Sequence, residues 1–317
     1  MLCLMGLLLV VVQVVTSVYQ FQIGESGLLA WSPTYKNAIG DRFRATFFRP
    51  FGTSNVAGGG TTLIFLLTPL GLGFFLKKTP RLTFLWGGLL LAGVGYVLFI
   101  SQVRAALTKC LFGCAIMFLI LFWKNVRATG ATFILLLAIS FLAFNFVKFD
   151  DSRFESSEKR LMALSEFSTV LAHRNPDAMS STLRIVSDAP LGIGLSRVGA
   201  SAEPFKDLIA ADTKFGPSWT FADNLYKALL VEIGIPGLIA FMSFLTLIVF
   251  KGSKGLLLKN RDSTQVVFFQ AAAIGAVLAS IAGHIGSEGF LYQPEATVVW
   301  ILLGTLVKIP EIMPLDS

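Results

Sequence analysis

Charged residues are scarce in this chain. Asp, Glu, Lys and Arg make up 14% of its 317 residues and hydrophobic residues 54%, whereas about a quarter of a typical soluble domain is charged. The mean hydropathy is +0.72. This composition excludes an ordinary water-soluble domain and indicates helices embedded in lipid.

Histidine and cysteine are also scarce, which removes several classes of site. The two histidines, His173 and His284, have no second histidine or carboxylate at helical ligand spacing, so the sequence predicts no metal site. The three cysteines, Cys3, Cys110 and Cys114, lie in apolar runs and imply no disulfide framework. No phosphate-binding P-loop, GxSxG elbow or HExxH motif occurs.

The formal net charge of +7 would suit a nucleic-acid partner. The basic residues, however, form no single stripe, and many of them lie in short stretches between apolar runs. That distribution is how membrane topology is encoded, so no nucleic-acid partner is predicted.

Eight apolar runs are long enough, or nearly so, to cross about 30 Å of hydrocarbon. They lie near Met1–Phe21, Thr61–Leu76, Thr83–Ile100, Ala105–Trp123, Ala131–Val147, Leu225–Phe250, Gln265–Ala282 and Ala296–Val307. The predicted fold class is an all-α polytopic membrane protein with about eight transmembrane helices and one large helical periplasmic loop. The first run has no basic n-region and no clear cleavage site, so it is predicted to be a retained helix rather than a signal peptide.

The expected domains follow from these runs. Residues 1–147 hold the N-terminal transmembrane helices and an outer loop at 22–60, residues 148–222 form the large periplasmic loop, and residues 223–317 hold the C-terminal transmembrane helices. In the large loop, two stretches have helical apolar spacing and are separated by Asn175-Pro176. Their apolar positions are Leu161, Leu164, Phe167 and Leu171 in the first, and Met179, Leu183 and Val186 in the second.

Short basic connections predict the orientation of the helices. Three connections between apolar runs carry the basic residues Lys77, Lys78, Arg81, Lys124, Arg127, Lys251, Lys254, Lys259 and Arg261. They fall on one side if every run crosses once, and the positive-inside rule makes that side cytoplasmic, together with the C-terminus. The long loops then face the periplasm or cell exterior, and the expected location is a bacterial inner membrane.

Several polar residues near the predicted outer surface are candidates for binding or chemistry. Arg104 begins an apolar run, where a cation is costly, although an interfacial arginine that snorkels to water is equally possible. Arg42, Arg44 and Arg49 lie among phenylalanines in the outer loop. They suit a phosphorylated, lipid-linked ligand, while headgroup anchoring is the alternative for Arg42 and Arg44.

The start of the sixth run is the second group of candidates. Asp223 is well placed as a helix N-cap, which by itself explains an aspartate there. It does not explain Asn224 beside it, Tyr226, or Glu232 about two turns into a membrane helix. Glu232 also suits a bend at Gly234–Gly237.

These residues belong to a set of motifs that resembles a known superfamily. Asp223-Asn224-x-Tyr226 followed by Glu232-x-Gly234-x-x-Gly237-Leu238 resembles the H/D-N-x-Y-L and E-x-G-x-x-G-L segment of the O-antigen ligase and polysaccharide polymerase superfamily. Three more motifs agree in order. Arg184 followed by Ala189-Pro190-Leu191-Gly192-Ile193-Gly194-Leu195 is similar to R-x(5–8)-P-L-x-G-x-G, and Ser101-Gln102-Val103-Arg104-Ala105-Ala106-Leu107 is similar to S-x-S-R-x-A-L. The loop Arg49–Ala57 resembles a third family motif more loosely. Together they span about Arg49 to the C-terminal helix.

The resemblance implies a metal-independent glycosyltransferase of the glycosyltransferase-C type that needs no cofactor. Such enzymes move a glycan from an undecaprenyl-pyrophosphate-linked donor to a sugar hydroxyl, on lipid A core for ligases or on another lipid-linked repeat for polymerases. It implies catalytic roles for Arg104 and Arg184 at the pyrophosphate and for Asp223 as the base, with Arg49, Asn224 and Tyr226 binding substrate.

Two departures from the family pattern bear on this interpretation. The ligases have histidine where this chain has Asp223, which favours a polymerase-like member, and family members usually have more transmembrane spans. A transporter or flippase of lipid-linked glycans is an alternative, for which Glu232 and Lys109 are the plausible charges within spans. A non-catalytic membrane assembly subunit is the other.

Overall fold

The computed structural model describes residues 2–31, 50–53, 60–75, 80–101, 103–123, 176–198, 207, 224–257, 264–284 and 295–312. Every regular element in these ranges is a helix: α1 (Leu2–Trp31), α2 (Gly60–Phe75), α3 (Pro80–Ser101), α4 (Arg104–Trp123), α5 (Pro176–Asp188), α6 (Leu225–Leu257), α7 (Thr264–Gly283) and α8 (Glu295–Ile312). The all-helical prediction is confirmed for this part of the chain. The predicted span Ala131–Val147 and the first predicted loop helix, Leu161–Leu171, lie outside the described residues.

Three helices are long and apolar enough to cross a membrane, namely Cys3–Trp31 in α1, Leu225–Lys254 in α6 and Val266–Gly283 in α7. Shorter apolar helices are Gly60–Phe75, Leu85–Ser101 and Ala106–Phe122. Large apolar side chains on the outer faces of α1 and α6 are exposed, which suits a lipid surrounding better than water. The described helices thus indicate an integral membrane protein.

Helices α1 and α6 extend well beyond the apolar runs that predicted them, and each contains a break. α1 continues to Trp31, ten residues past the expected end at Phe21, with a non-helical backbone at Gly24 (φ 66°, ψ −168°). The first ten residues of the expected outer loop are therefore part of this helix. α6 breaks in the same way at Gly234 (φ 68°, ψ −172°), with Pro236 just beyond, so the bend expected at Gly234–Gly237 is confirmed.

The interior of the bundle depends on close backbone approach. α2 is buried along most of its length, and α4 and α7 meet at Gly113 and Gly275, where an added Cβ on Gly275 would meet the Gly113 carbonyl oxygen and lie 3.2 Å from the Met117 nitrogen. Glycine at both positions permits that approach. This is how helices gain van der Waals contact in lipid, where the hydrophobic effect between helices is weak.

The helices alternate in direction, so their ends form two groups. At one end α4 and α6 begin and α7 ends, because Tyr226 donates a hydrogen bond to the Ile281 carbonyl and Lys109 pairs with Glu295 at the start of α8. We call this end the Arg104 end. At the opposite end, Gly252 of α6 packs against Leu306 of α8. The ends of α2, α4 and α6, which precede the basic connections in the sequence, therefore lie at the end opposite Arg104.

Candidate functional site

A short segment, residues 50–53, packs against α1 near the Arg104 end, with Pro50, Phe51 and Gly52 buried. The Gln20 side chain of α1 satisfies its backbone: Oε1 accepts from the N–H groups of Phe51 and Gly52 at 2.8 Å each, and Nε2 donates to the Gly52 carbonyl at 2.9 Å. Buried backbone groups in lipid need such partners. The motif-bearing loop that begins at Arg49 therefore has its next residues fixed to α1.

Helix α5 carries Arg184 and packs on the first turns of α6. It begins at Pro176, where the missing N–H removes no intrahelical hydrogen bond. Ile185 is buried in a cluster with Ala228 and Val231 of α6, and the neighbouring Arg184 is exposed. The guanidinium is thus carried at the surface by a helix anchored within two turns of the start of α6.

The second helical stretch predicted in the large loop is present as α5. Of its residues, Leu183 is 59% exposed, whereas Thr182 and Ile185 are buried. The physical reason is the loop that follows α5, which is tied to α6 by main-chain bonds and so determines which face of α5 turns toward α6. A pattern of apolar residues within one short helix does not contain that constraint.

The break in α6 leaves backbone groups without intrahelical partners. In an unbroken helix the Glu232 carbonyl accepts from residue 236, but Pro236 has no N–H to donate. The N–H of Ile235, which would serve the Val231 carbonyl, donates instead to the Pro190 carbonyl at 3.0 Å. Two carbonyl groups of α6 are therefore free to accept bonds from elsewhere.

The loop after α5 supplies both missing donors. Ile193 N–H donates to the Val231 carbonyl at 2.9 Å, and Gly194 N–H donates to the Glu232 carbonyl at 3.1 Å. We call this junction, residues 190–198 against residues 231–235, the clasp. It joins the P-L-G-I-G motif of the loop to the E-I-G-I-P-G motif of α6, which the sequence had related only by their order.

Glycine is required at the centre of the clasp for reasons of space and conformation. Gly192 (φ 88°) and Gly234 (φ 68°) both have positive φ and lie against each other. A Cβ on Gly192 would lie 2.7 Å from the Gly234 nitrogen, and a Cβ on Gly234 would lie 2.6 Å from the Gly192 nitrogen. Both obstacles are backbone atoms, so no side-chain movement relieves them.

Glu232 completes the clasp from within α6. Its side chain is buried, and Oε1 accepts hydrogen bonds from the N–H groups of Arg197 at 2.8 Å and Val198 at 3.1 Å. A carboxylate that accepts from main-chain N–H groups is a strong hydrogen-bond acceptor. The glutamate that was unexplained inside an apolar helix thus holds the C-terminal part of the loop.

Asn224, rather than Asp223, is the described N-cap of α6. Its Oδ1 accepts from the N–H groups of Tyr226 at 2.9 Å and Lys227 at 3.2 Å, which are the N2 and N3 positions of the helix. Capping therefore does not require Asp223. Tyr226 is part-buried and its hydroxyl donates to the Ile281 carbonyl of α7, which ties the start of α6 to the end of α7.

An apolar groove begins at Tyr226 and runs along α6 toward Met242. It encloses about 540 Å³ between α4, α6 and α7, and its walls include Phe112, Leu238, Met242 and Ile281. The part of its wall near the Arg104 end belongs to the same turns that carry the candidate residues. An apolar chain attached to a polar head at that end would fit this groove.

A buried polar cluster lies beside the groove. Glu295 Oε1 accepts from the Ser280 hydroxyl at 3.0 Å, and lies 3.3 Å from Lys109 Nζ and 3.4 Å from His284 Nε2. We call these four residues the Lys109 cluster. All are at most 4% exposed. Burial, and next the positive charge of Lys109, lowers the pKa of His284 to about 3, so this imidazole is neutral.

Of the six predicted site residues, the structure describes three with their side chains. Arg184, Asn224 and Tyr226 are brought to one end of the bundle by α5, the clasp and α6. For Arg104 the backbone is described, as the first residue of α4 at the same end. Arg49 and Asp223, together with Arg42 and Arg44, lie outside the described residues, and their roles stay predictions.

The sequence analysis missed the polar residues that hold this end together. Gln13 and Gln20 stand seven residues apart on α1 and both bind the 50–53 segment. Their spacing on one helix face within an apolar run was a usable signal. Glu295 carried no such signal, because it stands at the edge of a polar loop, where a carboxylate is ordinary.

A family model described as O-Antigen ligase matches residues 88–242. No curated protein matches the chain. The matched range contains Arg104, Arg184, Asp223, Asn224 and Tyr226, and both sides of the clasp, while Arg49 precedes it. This family is an enzyme family, and it implies a ligase or polymerase role in surface-polysaccharide biosynthesis with lipid-linked glycan substrates. Residues 88–242 of this membrane protein, just under half of the chain, therefore match the O-antigen ligase family.

Proposed function

We propose that this protein transfers or polymerises undecaprenyl-pyrophosphate-linked glycans, without a metal, at the periplasmic face of a bacterial inner membrane. The observation that carries the proposal is the clasp. It fastens the Arg184 helix to the start of α6, where Asn224 and Tyr226 lie, at the end of the bundle where α4 begins with Arg104. Segments that carry three family-like motifs thus lie at one end of the bundle, which supports the proposal.

The proposed reaction joins an acceptor sugar hydroxyl to the anomeric carbon of the donor glycan. A new C–O bond forms at that carbon as the bond to the pyrophosphate oxygen breaks, and undecaprenyl pyrophosphate leaves with the bonding electrons. Asp223 takes the proton of the attacking hydroxyl. Attack opposite to the leaving group inverts the configuration at the anomeric carbon.

The arginines supply the electrostatic part of this proposal. The leaving pyrophosphate gains negative charge in the transition state, and guanidinium groups bind phosphate oxygens in a planar fork. Arg184 is exposed on α5, and α4 begins at Arg104 at the same end of the bundle, which supports a pyrophosphate site built from two elements. The polyprenyl chain of the donor would occupy the groove that begins at Tyr226.

The proposal also specifies the class of acceptor. Aspartate in place of the histidine of the ligases favours a polymerase-like reaction, in which the acceptor is another lipid-linked glycan rather than lipid A core. Because Asn224 already caps α6, Asp223 is available for a role other than the cap. A chain-length ladder, rather than a single addition to lipid A core, is the expected product.

The test is the glycan chain length made by the Arg184→Ala variant. The ladder should collapse to short products at unchanged protein level, and Arg184→Lys should restore it only partly, because an ammonium lacks the guanidinium fork. Leu183→Ala is the matched control, since Leu183 is exposed on the same turn of α5. An unaltered ladder with Arg184→Ala would overturn the proposed role.

A transporter of lipid-linked glycans is the second candidate, and the breaks at Gly24 and Gly234 favour it. Interrupted helices line the substrate paths of many transporters. Vesicles that contain the purified chain and a fluorescent lipid-linked glycan separate the two. Movement of the label between leaflets without chain growth would support transport, and chain growth without movement would support the polymerase.

A further inference from the structure

The Lys109 cluster is not used by the proposed reaction, yet it buries a lysine and a glutamate inside the described bundle. A lysine in an apolar helix carries a charge into a medium that disfavours it. Lys109 is buried, with its ammonium 3.3 Å from Glu295 Oε1 and 4.7 Å from the centre of the Phe65 ring. Its contacts come from α2, α7 and α8, so one side chain of α4 joins three other helices.

The aliphatic part of the Lys109 side chain is also fixed by packing. Gly283, the last residue of α7, leaves the space that the stem fills, since a Cβ there would lie 2.5 Å from Lys109 Cδ. The Ser280 hydroxyl and His284 contact the same Glu295 oxygen from the same end of α7. Lys109 therefore has a single direction, toward the interior of the bundle.

Because Lys109 points into the bundle, helix geometry also determines the face of α4 on which position 104 lies. The two residues are five apart, which in an α-helix is a rotation of about 140° and a rise of about 7.5 Å. With Lys109 inward, position 104 belongs to the stripe of α4 that includes Thr108 and Leu111, both exposed. That stripe borders Phe112, which lines the groove together with Tyr226.

We propose that the Lys109–Glu295 ion pair sets the rotation of α4 and thereby turns Arg104 toward the head of the groove, which makes Lys109 and Glu295 positioning residues for a pyrophosphate-bearing lipid. The inference rests on the proposed function, because it assigns Arg104 to the pyrophosphate of the donor. A rotation of α4 that moved Arg104 away would move the ammonium toward lipid and leave Glu295 buried without its cation. Both changes are costly.

The test measures binding of undecaprenyl pyrophosphate, the leaving group itself, to the purified full chain in lipid nanodiscs. The main variant is K109M/E295Q, which removes both charges at nearly constant shape, since removal of one alone would strand the other. Its affinity should fall about tenfold, as expected when a charge-assisted hydrogen bond is misaligned, with thermal unfolding unchanged. Arg104→Ala should weaken binding by at least as much.

The decisive comparison is the combination of these changes. If Lys109 acts through Arg104, K109M/E295Q should cause no further loss in the Arg104→Ala background, because the group it positions is gone. A purely structural role would lower affinity equally in both backgrounds and would overturn the inference. So would wild-type affinity in K109M/E295Q.

Two further outcomes keep the result interpretable. If Arg104→Ala binds undecaprenyl pyrophosphate like the wild type, the role of Arg104 in the proposed function is contradicted. If Arg104→Ala binds weakly but K109M/E295Q binds normally, only the positioning role of Lys109 and Glu295 is contradicted. Should K109M/E295Q not fold, Glu295→Asp replaces it, because both charges remain and only the carboxylate moves back by one methylene. The same dependence on Arg104 is then required, with a smaller loss.

Discussion

Substitution of Gly192 by alanine is the sharpest perturbation of the clasp, and Gly194 provides its matched control. Both residues have positive φ, 88° and 100° respectively. Alanine at either position therefore incurs the left-handed penalty of about 1–2 kcal/mol. They differ in surroundings, since a Cβ on Gly192 meets the backbone of Glu232 and Gly234, whereas no atom of the described residues lies within 4 Å of a Cβ on Gly194.

The difference between the two variants can be estimated from the bonds that the added methyl group displaces. The loop must move away from α6, which stretches the bonds from Ile193 N–H to the Val231 carbonyl and from Gly194 N–H to the Glu232 carbonyl. Each contributes about 1 kcal/mol. Gly192→Ala should thus weaken docking of the loop by about 2 kcal/mol more than Gly194→Ala, a factor of about 30 in the docking equilibrium.

Hydrogen–deuterium exchange of the purified protein measures this directly. A peptide that covers residues 190–198 contains both amides, and its protection should fall about 30-fold further in Gly192→Ala than in Gly194→Ala. Under the proposed function the glycan ladder should shorten in the same order, because Arg184 depends on the clasp. Equal exchange in the two variants would refute the argument from close backbone approach.

Two other predictions concern the ends of the same assembly. Glu232→Gln keeps an acceptor oxygen for the two loop N–H groups and should retain most of the amide protection of the loop. Glu232→Ala should lose about 2–3 kcal/mol of docking free energy, measured by the same hydrogen–deuterium exchange. Equal protection in the two variants would argue against a role for the carboxylate. Asn224→Ala should lower stability by about 1 kcal/mol through loss of the cap, and Asn224→Asp should not. Thermal unfolding in detergent tests this, and an activity loss in Asn224→Asp at unchanged stability would indicate substrate contact instead.

The helices were predictable because lipid imposes a simple requirement on sequence. An apolar run of sufficient length satisfies its own backbone as a helix, and the described helices lie where those runs predicted them. The ends of the helices were harder to predict. Residues 22–31 contain glutamine and glutamate and were assigned to a loop, yet they continue α1 beyond the break at Gly24. A polar stretch in the sequence shows where the chain leaves the lipid. It does not show where the helix ends.

The site was predictable as a set of motifs but not as a set of contacts. The order of the motifs did indicate that the Arg184 segment and the start of α6 belong together. It did not show that Gly192 and Gly234 are two sides of one close approach, since that depends on backbone positions 42 residues apart. Likewise the neighbours Asp223 and Asn224 are both good capping residues, and only the hydrogen bonds of Asn224 decide between them.

The clasp also bears on how a lipid-linked substrate reaches the site. Opening it would remove partners from the Ile193, Gly194 and Ile235 amides and from the two amides held by Glu232. At about 1 kcal/mol each, five lost bonds leave an open population of about one molecule in several thousand. Access through an opened loop would thus be rare, whereas the described walls of the groove at Tyr226 come from α4, α6 and α7 and do not include the clasp loop. Under the proposed function the donor therefore enters from the side, and the loop serves to hold Arg184 in place rather than to admit substrate.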